Sequence, residues 1–389
     1  MPLRILAVSV FPTWYQVAFY RELAMLSGVD FSAVFSHGGH SVGLYETNWG
    51  DRVVKNETGL LDGYASQVLW NKAGIKPEEA RKRDPEGLDA CIRRVRPDAI
   101  LVNDDGRSSI SARAIKIGKR YGARIVLRST PYDLRPLSRV QDLARSLYLE
   151  RRYRRIDRFC AVGSLPELHF KRFSRRPGDV FRSNYCVDEF ILEDFFVKRE
   201  EARATTRRSL GIGPDERVAV TVSRLIWEKD LDLTLNAFRE SCVSRKTRLI
   251  VVGDGPEAYK VKAAQSVLRE NLIWRGALDR AGVAGSLAAA DFFLIGSKSD
   301  TWGAVLNEAI YFHRPIVSSR NVGGSCDLVL PGITGWSFRS GDVADCVAKI
   351  DAMHRSLDSD SFAPESFEAL KKEYSAREAA LGIVRAASS

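Results

Sequence analysis

Short apolar segments alternate with segments of helical period along the whole chain, and this alternation is the strongest constraint on its fold. In the first half the predicted strands are Arg4–Phe11, Phe31–Ser36, Ser66–Trp70, Ala99–Asn103, Arg124–Ser129, Arg158–Val162 and Val180–Ser183. In the second half they are Val218–Ser223, Arg248–Gly253, Leu272–Arg275, Phe292–Gly296, Pro315–Ser318 and Gly335–Phe338. Helical patterns such as Ser111–Tyr121, Leu231–Ser241 and Glu257–Arg269 lie between them. Strands that alternate with helices of this length predict parallel sheets with helices on both faces.

The pattern restarts near residue 215, after the polar stretch Lys198–Thr206. We therefore predict an α/β fold with two doubly wound, Rossmann-like domains, residues 1–190 and 191–365. The segment 366–389, with Ser366–Ala387 predicted as one helix, is expected to pack back across the domains. Because ligands of such domains bind beyond the carboxyl ends of the strands, we expect the two domains to face a shared cleft.

Composition excludes several classes of protein. The chain of 389 residues is 45% hydrophobic and 28% charged, as in soluble globular proteins. No apolar run approaches the roughly 20 residues that span a bilayer. The N-terminal segment Met1–Val10 fits a buried strand better than a signal peptide. Six scattered cysteines without a C-x-x-C pair favour free thiols in a reducing cytoplasm.

Positive charge is concentrated in the first half. Residues 1–190 contain 32 Lys and Arg against 22 Asp and Glu, whereas residues 191–389 contain 27 of each, so the whole net charge of +10 lies in the first half. The densest cluster is Arg151, Arg152, Arg154, Arg155, Lys171, Arg172, Arg175 and Arg176. Three interpretations stay open: a solvated helix face, a surface for anionic lipid or a phosphorylated acceptor, and nucleic-acid binding, which no recognised motif accompanies.

The segment Ser299–Ala309 (SDTWGAVLNEA) follows the predicted strand Phe292–Gly296 and begins a helix. Within that helix Glu308 has only apolar neighbours three and four positions away, so no local cation pairs with it. A carboxylate on an apolar helix face is costly unless something binds it. A strand, a loop of small residues and a helix start are also suited to phosphate. The segment thus indicates a site for a molecule with both phosphate and hydroxyl groups.

Two cations follow the first strand of the second half, in Val220–Asp230 (VTVSRLIWEKD). Arg224 lies just past the strand end, and Lys229 lies in the loop before the next helix. Arg as a planar fork and Lys as a point charge can together hold a diphosphate. Two ordinary surface cations, one paired with Glu228 or Asp230, are the alternative.

Two glycine motifs also follow strands. Leu249–Ala258 (LIVVGDGPEA) contains G-x-G-x-x-A, which suggests a nicotinamide dinucleotide, but Pro256 restricts the backbone and no clear acidic residue follows about 20 residues on. A tight turn that lines a cleft is the stronger interpretation. Asn321–Gly324 (NVGG) is either a sharp turn or a close approach to a ligand.

Candidate metal ligands are few. Asp104 and Asp105 follow a strand and either bind a metal or an acceptor, or form a turn that caps the next helix. Five histidines (37, 40, 169, 313 and 354) lack metal-site spacing, and the segment His37–His40 is better explained as a turn.

Taken in order, these motifs resemble those of family 4 glycosyltransferases, the retaining, nucleotide-sugar-dependent enzymes of the GT-B fold. The resemblance covers about residues 158–340. The motifs that carry it are Ser183–Phe190, Ser223–Lys229, Val252–Pro256, the E-x7-E pattern with Asp300 and Glu308 at its ends, Val322–Gly324 and Gly332–Gly335. The subgroup indicated has an Asp-Thr-Trp-Gly form of the E-x7-E motif.

The resemblance implies a role for each site residue. Arg224 and Lys229 would stabilise the diphosphate leaving group, and Asp300 would contact sugar hydroxyls. Glu308 would accept hydrogen bonds from both ribose hydroxyls, and the main chain near Ala277 and Leu278 would contact the base. The backbone around Thr301, Trp302, Gly303 and Ala304 would hold a phosphate and the donor sugar, and Gly253 would line the same site. Such enzymes need no metal.

The first half departs from the family pattern. The loop in Val10–Arg21 contains no glycine and has the pair Tyr15-Gln16 instead. Where many members have His-Gly after the fifth strand, this chain has Leu127–Pro131 (LRSTP), so Arg128 or Ser129 would replace the histidine that contacts the donor sugar.

We therefore expect a retaining glycosyltransferase that uses a UDP- or GDP-sugar, with its acceptor, a lipid-linked glycan or polysaccharide, on the basic first domain. The expected localisation is cytoplasmic, peripheral to the inner membrane. The alternatives are a nicotinamide-dependent or nucleotide-sugar-modifying enzyme, a catalytically silent nucleotide-sugar-binding homologue, and a nucleic-acid-binding module.

Overall fold

The structure is a computed structural model that describes residues 1–39, 44–46, 52–54, 59–83, 86–104, 107–131, 138–174, 176–242 and 245–389. The chain forms two compact units. Unit 1 comprises Met1–Thr47, Asp51–Asp188 and Tyr374–Ser389, and unit 2 comprises Asn48–Gly50 and Glu189–Glu373.

Unit 1 contains a parallel sheet of seven strands in the order β5-β2-β1-β6-β7-β8-β9, and a separate antiparallel pair, β3 with β4. The strands are β1 (Leu3–Ser9), β2 (Val29–Phe35), β3 (Leu44–Glu46), β4 (Arg52–Val54), β5 (Ala65–Val68), β6 (Ala99–Val102), β7 (Arg124–Ser129), β8 (Arg158–Ala161) and β9 (Val180–Arg182). The antiparallel pair was not predicted.

Helices cover both faces of this sheet. They are α1 (Trp14–Met25), α2 (Pro77–Lys82), α3 (Leu88–Val95), α4 (Ser109–Arg120), α5 (Arg139–Tyr153) and α6 (Ser164–Phe173). Alternate residues of β1 enter different cores: Leu6 and Val8 pack in one hydrophobic cluster, and Ile5 and Ala7 pack in the other. Because both faces are buried, the strand is a nearly continuous apolar run in the sequence.

Unit 2 contains a parallel sheet of six strands in the order β12-β11-β10-β13-β14-β15. The strands are β10 (Arg217–Val222), β11 (Thr247–Val252), β12 (Leu272–Trp274), β13 (Phe292–Ile295), β14 (Ile316–Ser319) and β15 (Gly335–Phe338). The helices are α7 (Glu189–Val197), α8 (Arg199–Ser209), α9 (Leu231–Ser241), α10 (Ala258–Leu268), α11 (Arg280–Ala289), α12 (Ala304–Tyr311), α13 (Ser325–Leu328), α14 (Val343–Asp358) and α15 (Pro364–Glu373).

In unit 2, successive strands are first added on one side of β10 and then on its other side. The chain builds the sheet outward from β10 through β11 to β12, then crosses back and adds β13 on the other side of β10. Loops that leave β10 and β13 therefore start at the same carboxyl edge, on either side of the point where the strand order reverses, and ligands of doubly wound sheets bind at such a point. The prediction of two doubly wound α/β units is confirmed.

The C-terminal segment differs from the prediction of a single helix over Ser366–Ala387. It forms two helices, α15 and α16 (Ala376–Ser388), separated at Tyr374 and Ser375. Ser375 ends the continuity because its hydroxyl accepts a hydrogen bond from the Glu378 N–H (3.2 Å), so it caps α16.

Helix α16 belongs to the core of unit 1. Its residues Ala379, Ala380 and Ile383 are fully buried among side chains of that unit's sheet. Gly382 lies so close to β9 that a Cβ there would be 2.0 Å from the Arg182 carbonyl oxygen. Within the described residues, no helix is both long enough and apolar enough to cross a bilayer.

Candidate functional site

The predicted site residues of the second half come together at one edge of the unit 2 sheet. Each lies beyond the carboxyl end of a strand: Arg224 and Lys229 after β10, Gly253 after β11, Leu278 after β12, and Asp300, Thr301, Trp302, Gly303 and Ala304 after β13. Glu308 lies one turn into α12. Residues that are up to 84 positions apart in the sequence thus share one edge because parallel strands end on the same side.

An ion pair joins the loops after β10 and β13. The Lys229 ammonium donates a hydrogen bond to Asp300 Oδ2, and both side chains are largely buried, at 13% and 17% exposure. The Lys298 N–H donates to the Glu228 carbonyl oxygen over 2.8 Å, which adds a backbone connection between the same loops. The cation predicted to hold a diphosphate therefore has a carboxylate as its partner in this structure.

The loop after β14 fixes the backbone of Asp300. The Asp300 N–H donates to the Asn321 carbonyl oxygen (3.1 Å), and the Gly323 N–H donates to the Asp300 carbonyl oxygen (3.0 Å). A Cβ at Gly323 would lie 2.2 Å from the carbonyl oxygen of Thr301. Of the two interpretations of Asn321–Gly324, the structure thus supports a turn whose glycine permits close backbone packing.

The glycines after β11 have a similar packing role. A Cβ at Gly253 would lie 1.8 Å from the Ser223 carbonyl oxygen, and one at Gly255 would lie 2.6 Å from that of Leu225. This G-x-G-x-x-A segment also follows the second strand of the unit, whereas the dinucleotide fingerprint follows the first. The geometry therefore disfavours the nicotinamide interpretation.

The start of α12 presents unused hydrogen-bond donors. Gly303 precedes the helix with a left-handed φ of 82°, which favours glycine. Among the residues that the structure describes, none accepts a hydrogen bond from the N–H of Gly303, Ala304 or Val305. The side chain of Trp302 instead stabilises this turn: it is buried, and its Nε1 donates to Asn307 Oδ1 over 2.7 Å.

Glu308 lies half-buried in α12, and burial raises its pKa to about 7, an effect that the positive charge of Arg280 at the start of α11 partly opposes. Its carboxylate makes no hydrogen bond or ion pair within the described part of the chain. The sequence prediction of an acid without a local cation is therefore confirmed. The opposing positive charge belongs to Arg280, on a different helix.

Arg224 and Leu278 are the remaining two predicted residues at this sheet edge. Arg224 is exposed, and its guanidinium has no ion pair with any described residue. Leu278 is half-buried after β12, and its backbone precedes Asp279, which caps α11 by accepting from the Gly282 N–H (2.8 Å).

Sequence reasoning missed Lys298. Its ammonium lies 5.0 Å from the centroid of the exposed Trp227 ring and 3.3 Å from Asp230 Oδ1. The sequence could have indicated this residue. Lys298 follows a strand and lies two residues before Asp300, so it belongs to the same sheet edge.

In unit 1 the polar residues singled out by the sequence have partners in the interior. Arg128 is buried, stacks 4.3 Å from the centroid of the Phe19 ring, and donates to Ser183 Oγ (3.0 Å) and the Asn184 carbonyl oxygen (2.9 Å). Gln16 is buried and its Oε1 lies 3.4 Å from the Ser9 hydroxyl, which donates to it.

His37 and Asp104 are candidate metal ligands of unit 1 that the structure describes. Both ring nitrogens of His37 are engaged, by the Lys72 carbonyl oxygen (2.7 Å) and the Gly39 N–H (3.0 Å). Helix α4 is capped by Ser108, so Asp104 does not cap it as one alternative held. Asp105, His40 and Arg175 lie outside the described residues.

Within the described residues the side chains form neither a metal cluster nor a disulfide. In the described part of the chain, His, Cys, Asp and Glu side chains form no group of three or more placed to hold a metal ion. All six cysteines, each in a described position, are free, and five are buried, which confirms the prediction of free thiols.

Solved structures match the chain over its whole length. The Anabaena protein HepE in complex with UDP and glucose has a TM-score of 0.71, with 14% identity and 99% of each chain covered. The apo form of WaaB, a lipopolysaccharide outer core galactosyltransferase, has a TM-score of 0.66, with 15% identity and 99% of each chain covered. The fold is that of the GT-B glycosyltransferases.

Sequence comparisons point the same way for unit 2. The family model described as glycosyl transferases group 1 matches residues 202–360. A sulfoquinovosyl transferase from Arabidopsis thaliana is 31% identical over 140 residues, covering 35% of this chain and 26% of that protein. An alpha-monoglucosyldiacylglycerol synthase from Streptococcus pneumoniae is 30% identical over 128 residues, covering 32% and 29%. These matches span about a quarter of the relatives' own length, and they show a similarity of unit 2 to glycosyltransferases.

Proposed function

We propose that the chain is a retaining glycosyltransferase that moves a sugar from a nucleotide diphosphate sugar to a glycan or lipid-linked acceptor. One observation carries the proposal. At a single sheet edge of unit 2, cations, unused N–H donors and a half-buried carboxylate without a hydrogen-bonding partner in the described residues lie in adjacent loops. A nucleotide sugar presents the matching groups, namely a diphosphate, sugar hydroxyls and a ribose diol.

In the proposed mechanism Lys229 and Arg224 stabilise the diphosphate as its negative charge grows during bond cleavage. Electrostatic stabilisation of this kind commonly lowers a barrier by about 3 kcal/mol or more. Lys229 is paired with Asp300 in this structure, so binding of the donor must break this ion pair. The phosphate would take over the ammonium, and a sugar hydroxyl would donate to the released carboxylate.

The helix start and Glu308 would bind the rest of the donor. The N–H groups of Gly303 and Ala304 are oriented by the positive φ of Gly303 and would donate to a phosphate oxygen. Glu308 would accept hydrogen bonds from the two ribose hydroxyls, and the backbone at Ala277 and Leu278 would contact the base. Because two cations and a helix N-terminus supply positive charge, the proposed reaction requires no metal.

The positive charge of unit 1 and the similarity to enzymes of glycolipid synthesis support the proposed acceptor. Residues 1–190, nearly all of them in unit 1, carry the whole net charge of +10, which suits a phosphorylated or lipid-linked acceptor. The relatives include a synthase of a monoglucosyldiacylglycerol and a lipopolysaccharide galactosyltransferase. We infer a role in glycolipid or polysaccharide synthesis at the cytoplasmic side of the inner membrane.

A panel of nucleotides tests the donor assignment. Melting temperature would be measured with UDP, GDP, their sugars, NAD and no addition, since a ligand stabilises the state that it binds. A rise with one nucleoside diphosphate and its sugar, absent with NAD, is expected. No response to any nucleoside diphosphate, or a response to NAD alone, would contradict the proposal.

A catalytically silent nucleotide-sugar-binding homologue is the second candidate, and Arg128 favours it. Where many family members have a histidine that contacts the donor sugar, this chain has an arginine engaged in the interior of unit 1. The two candidates differ in nucleotide release. A transferase slowly hydrolyses its donor or transfers to an acceptor extract, whereas a silent homologue binds the nucleotide sugar and leaves it intact.

A further inference from the structure

Helix α5 presents apolar side chains to solvent on its outward face. Val140 is 77% exposed, Leu143 62%, Leu147 60% and the adjacent Tyr148 59%. Val140, Leu143 and Leu147 are spaced three and four residues apart, so they form one stripe along the helix. Single exposed apolar residues are common, but four on one helix face mark an interaction surface.

The orientation of this face is fixed by contacts on the opposite side. Leu149 and Tyr153 are buried in the core of unit 1. Asp142 forms an ion pair with Arg172 of α6 at 2.5 Å. At its start, Ser138 and Gln141 form a reciprocal capping box that defines the first turn. The exposed stripe is therefore a stable feature of the folded unit.

Arginines continue the same stripe. Arg151 and Arg154 follow Leu147 at the next two helical steps, both are exposed, and neither forms an ion pair with a described residue. Arg155 is exposed beside them, and Arg139 is exposed at the helix start. Glu150 is the one acid on the exposed side of α5, because Asp142 is paired with Arg172.

We propose that α5 is the surface by which the protein docks on an anionic lipid bilayer. The inference deepens the proposed function, on which it rests, by identifying the surface that would bring unit 1 to a lipid-linked acceptor. A helix in the plane of a membrane inserts apolar side chains between the headgroups and places arginines against lipid phosphates. Exposed leucines with unpaired arginines match both requirements, whereas a nucleic-acid surface would use the cations without the leucines.

Cosedimentation with vesicles tests this assignment on the full chain. Wild type is expected to bind vesicles of phosphatidylcholine with about 30% phosphatidylglycerol, and to bind pure phosphatidylcholine weakly. Leu143→Ser with Leu147→Ser should lower the affinity at least about tenfold, since it removes two inserting side chains. Arg151→Gln with Arg154→Gln should lower it roughly 25-fold, at about fivefold for each basic residue near the surface.

Matched controls use exposed residues on other helices. Lys116→Gln with Arg120→Gln on α4 makes the same change in net charge, and Tyr259→Ser with Val267→Ser on α10 removes two exposed apolar residues. Both control pairs should bind vesicles like wild type. Equal binding by the α5 variants and wild type, or equal losses in the controls, would overturn the assignment. The assignment would also be overturned if the wild-type protein bound duplex DNA but not vesicles, and if all four double variants kept that DNA binding.

The nucleotide response separates this inference from the proposed function. Each α5 variant should keep the wild-type rise in melting temperature with the nucleoside diphosphate, since α5 contributes no residue to unit 2. Loss of vesicle binding with an intact nucleotide response supports the docking surface. A wild-type protein that binds vesicles through α5 but responds to no nucleotide would leave the docking intact and contradict the transferase.

Discussion

The main sheets of unit 1 and unit 2 have the same strand order: the next two strands of the sheet lie on one side of its first strand, and the later strands are added on the other side. The polar residues at their carboxyl edges are used differently. In unit 1, Arg128 and His37 satisfy hydrogen bonds inside the unit. In unit 2, Arg224 is exposed without an ion pair to any described residue, and Glu308 has no hydrogen-bonding partner among them.

The difference shows that a doubly wound sheet supplies the location of a site but not its chemistry. The chemistry depends on whether strand-end residues are engaged by their own unit. In unit 2, glycines let the loops pack backbone to backbone, and the side chains of Arg224 and Glu308 make no ion pair with a described residue. Five experiments test whether the two units differ in this way, from the largest expected effect to the smallest.

Lys229→Ala should have the largest effect. Removing the cation that we propose faces the leaving diphosphate should slow sugar transfer or donor hydrolysis by at least about 100-fold, or about 3 kcal/mol of barrier. The measurement is turnover at saturating donor. Lys349→Ala, which removes a paired lysine of α14 at 3.9 Å from Asp345, should keep wild-type turnover. Full activity of the Lys229 variant would place the diphosphate elsewhere.

Gly323→Ala should destabilise unit 2 by about 2 to 3 kcal/mol, because a Cβ there would lie 2.2 Å from the Thr301 carbonyl oxygen. Denaturant unfolding measures the change. Gly178→Ala in unit 1 is the matched control, since a Cβ there meets no atom within 4 Å, and it should change stability by under about 0.5 kcal/mol. Equal effects would mean that close loop packing is no special property of unit 2.

Glu308→Gln should weaken binding of the nucleoside diphosphate by about 2 kcal/mol, or roughly 30-fold, since the proposed charged hydrogen bonds to the ribose would be lost. The same variant should unfold at a higher temperature than wild type at about pH 8, because ionising the half-buried Glu308 costs stability. Calorimetry of binding and of unfolding measures both. Glu270→Gln, at an exposed position, should change neither. Unchanged affinity would remove Glu308 from the site.

Nucleotide binding should be linked to pH through Glu308. Burial raises the pKa of this carboxyl from 4.5 to about 7. The folded chain therefore holds a proton that the unfolded chain loses above pH 4.5, and ionisation lowers the free energy of unfolding as pH rises through 7. A ribose diol favours the ionised form, so affinity should rise about tenfold between about pH 6 and pH 8, with proton release on binding.

Titrations in buffers of different ionisation enthalpy measure that proton. Glu308→Gln supplies the control, since it cannot ionise and should give a flatter profile. A wild-type affinity that is independent of pH, with no proton released, would mean that the nucleotide leaves the protonation of Glu308 unchanged.

Arg128→Lys should have the smallest effect on nucleotide affinity, with no measurable change expected. It should lower the free energy of unfolding by about 1 to 2 kcal/mol, because lysine cannot reproduce the paired hydrogen bonds to Ser183 and Asn184. Arg120→Lys, on the exposed side of α4, should alter neither quantity. A large loss of nucleotide affinity in the Arg128 variant would show that unit 1 also contributes to the donor site.

The fold was largely predictable from the sequence because buried parallel strands are continuous apolar runs. All thirteen predicted strands are present, and Arg124–Ser129 and Gly335–Phe338 have the predicted bounds. The antiparallel strands Leu44–Glu46 and Arg52–Val54 were missed, since each has a charged residue among its three and neither forms an apolar run. The break between α15 and α16 was missed because a single capping serine produces it.

The candidate site was predictable only in part. The positions of Lys229 and Asp300 followed from strand ends, but their pairing depends on which strands are neighbours in the sheet, and sequence order does not give that. The packing of Gly323 against Thr301 is likewise a tertiary contact. The roles of Arg224, Lys229, Asp300 and Glu308 in binding a donor stay predictions.

Helix α16 packs in the core of unit 1, although it is translated after unit 2. The ribosome releases the strands of the N-terminal sheet long before it makes Ala376–Ser388, whose alanines and Ile383 fill one side of that sheet's core. Unit 2 is translated in full before this helix emerges, so it can mature first although it comes second. Until translation reaches Ala376–Ser388, the apolar face of the nascent N-terminal sheet that this helix covers stays exposed to water.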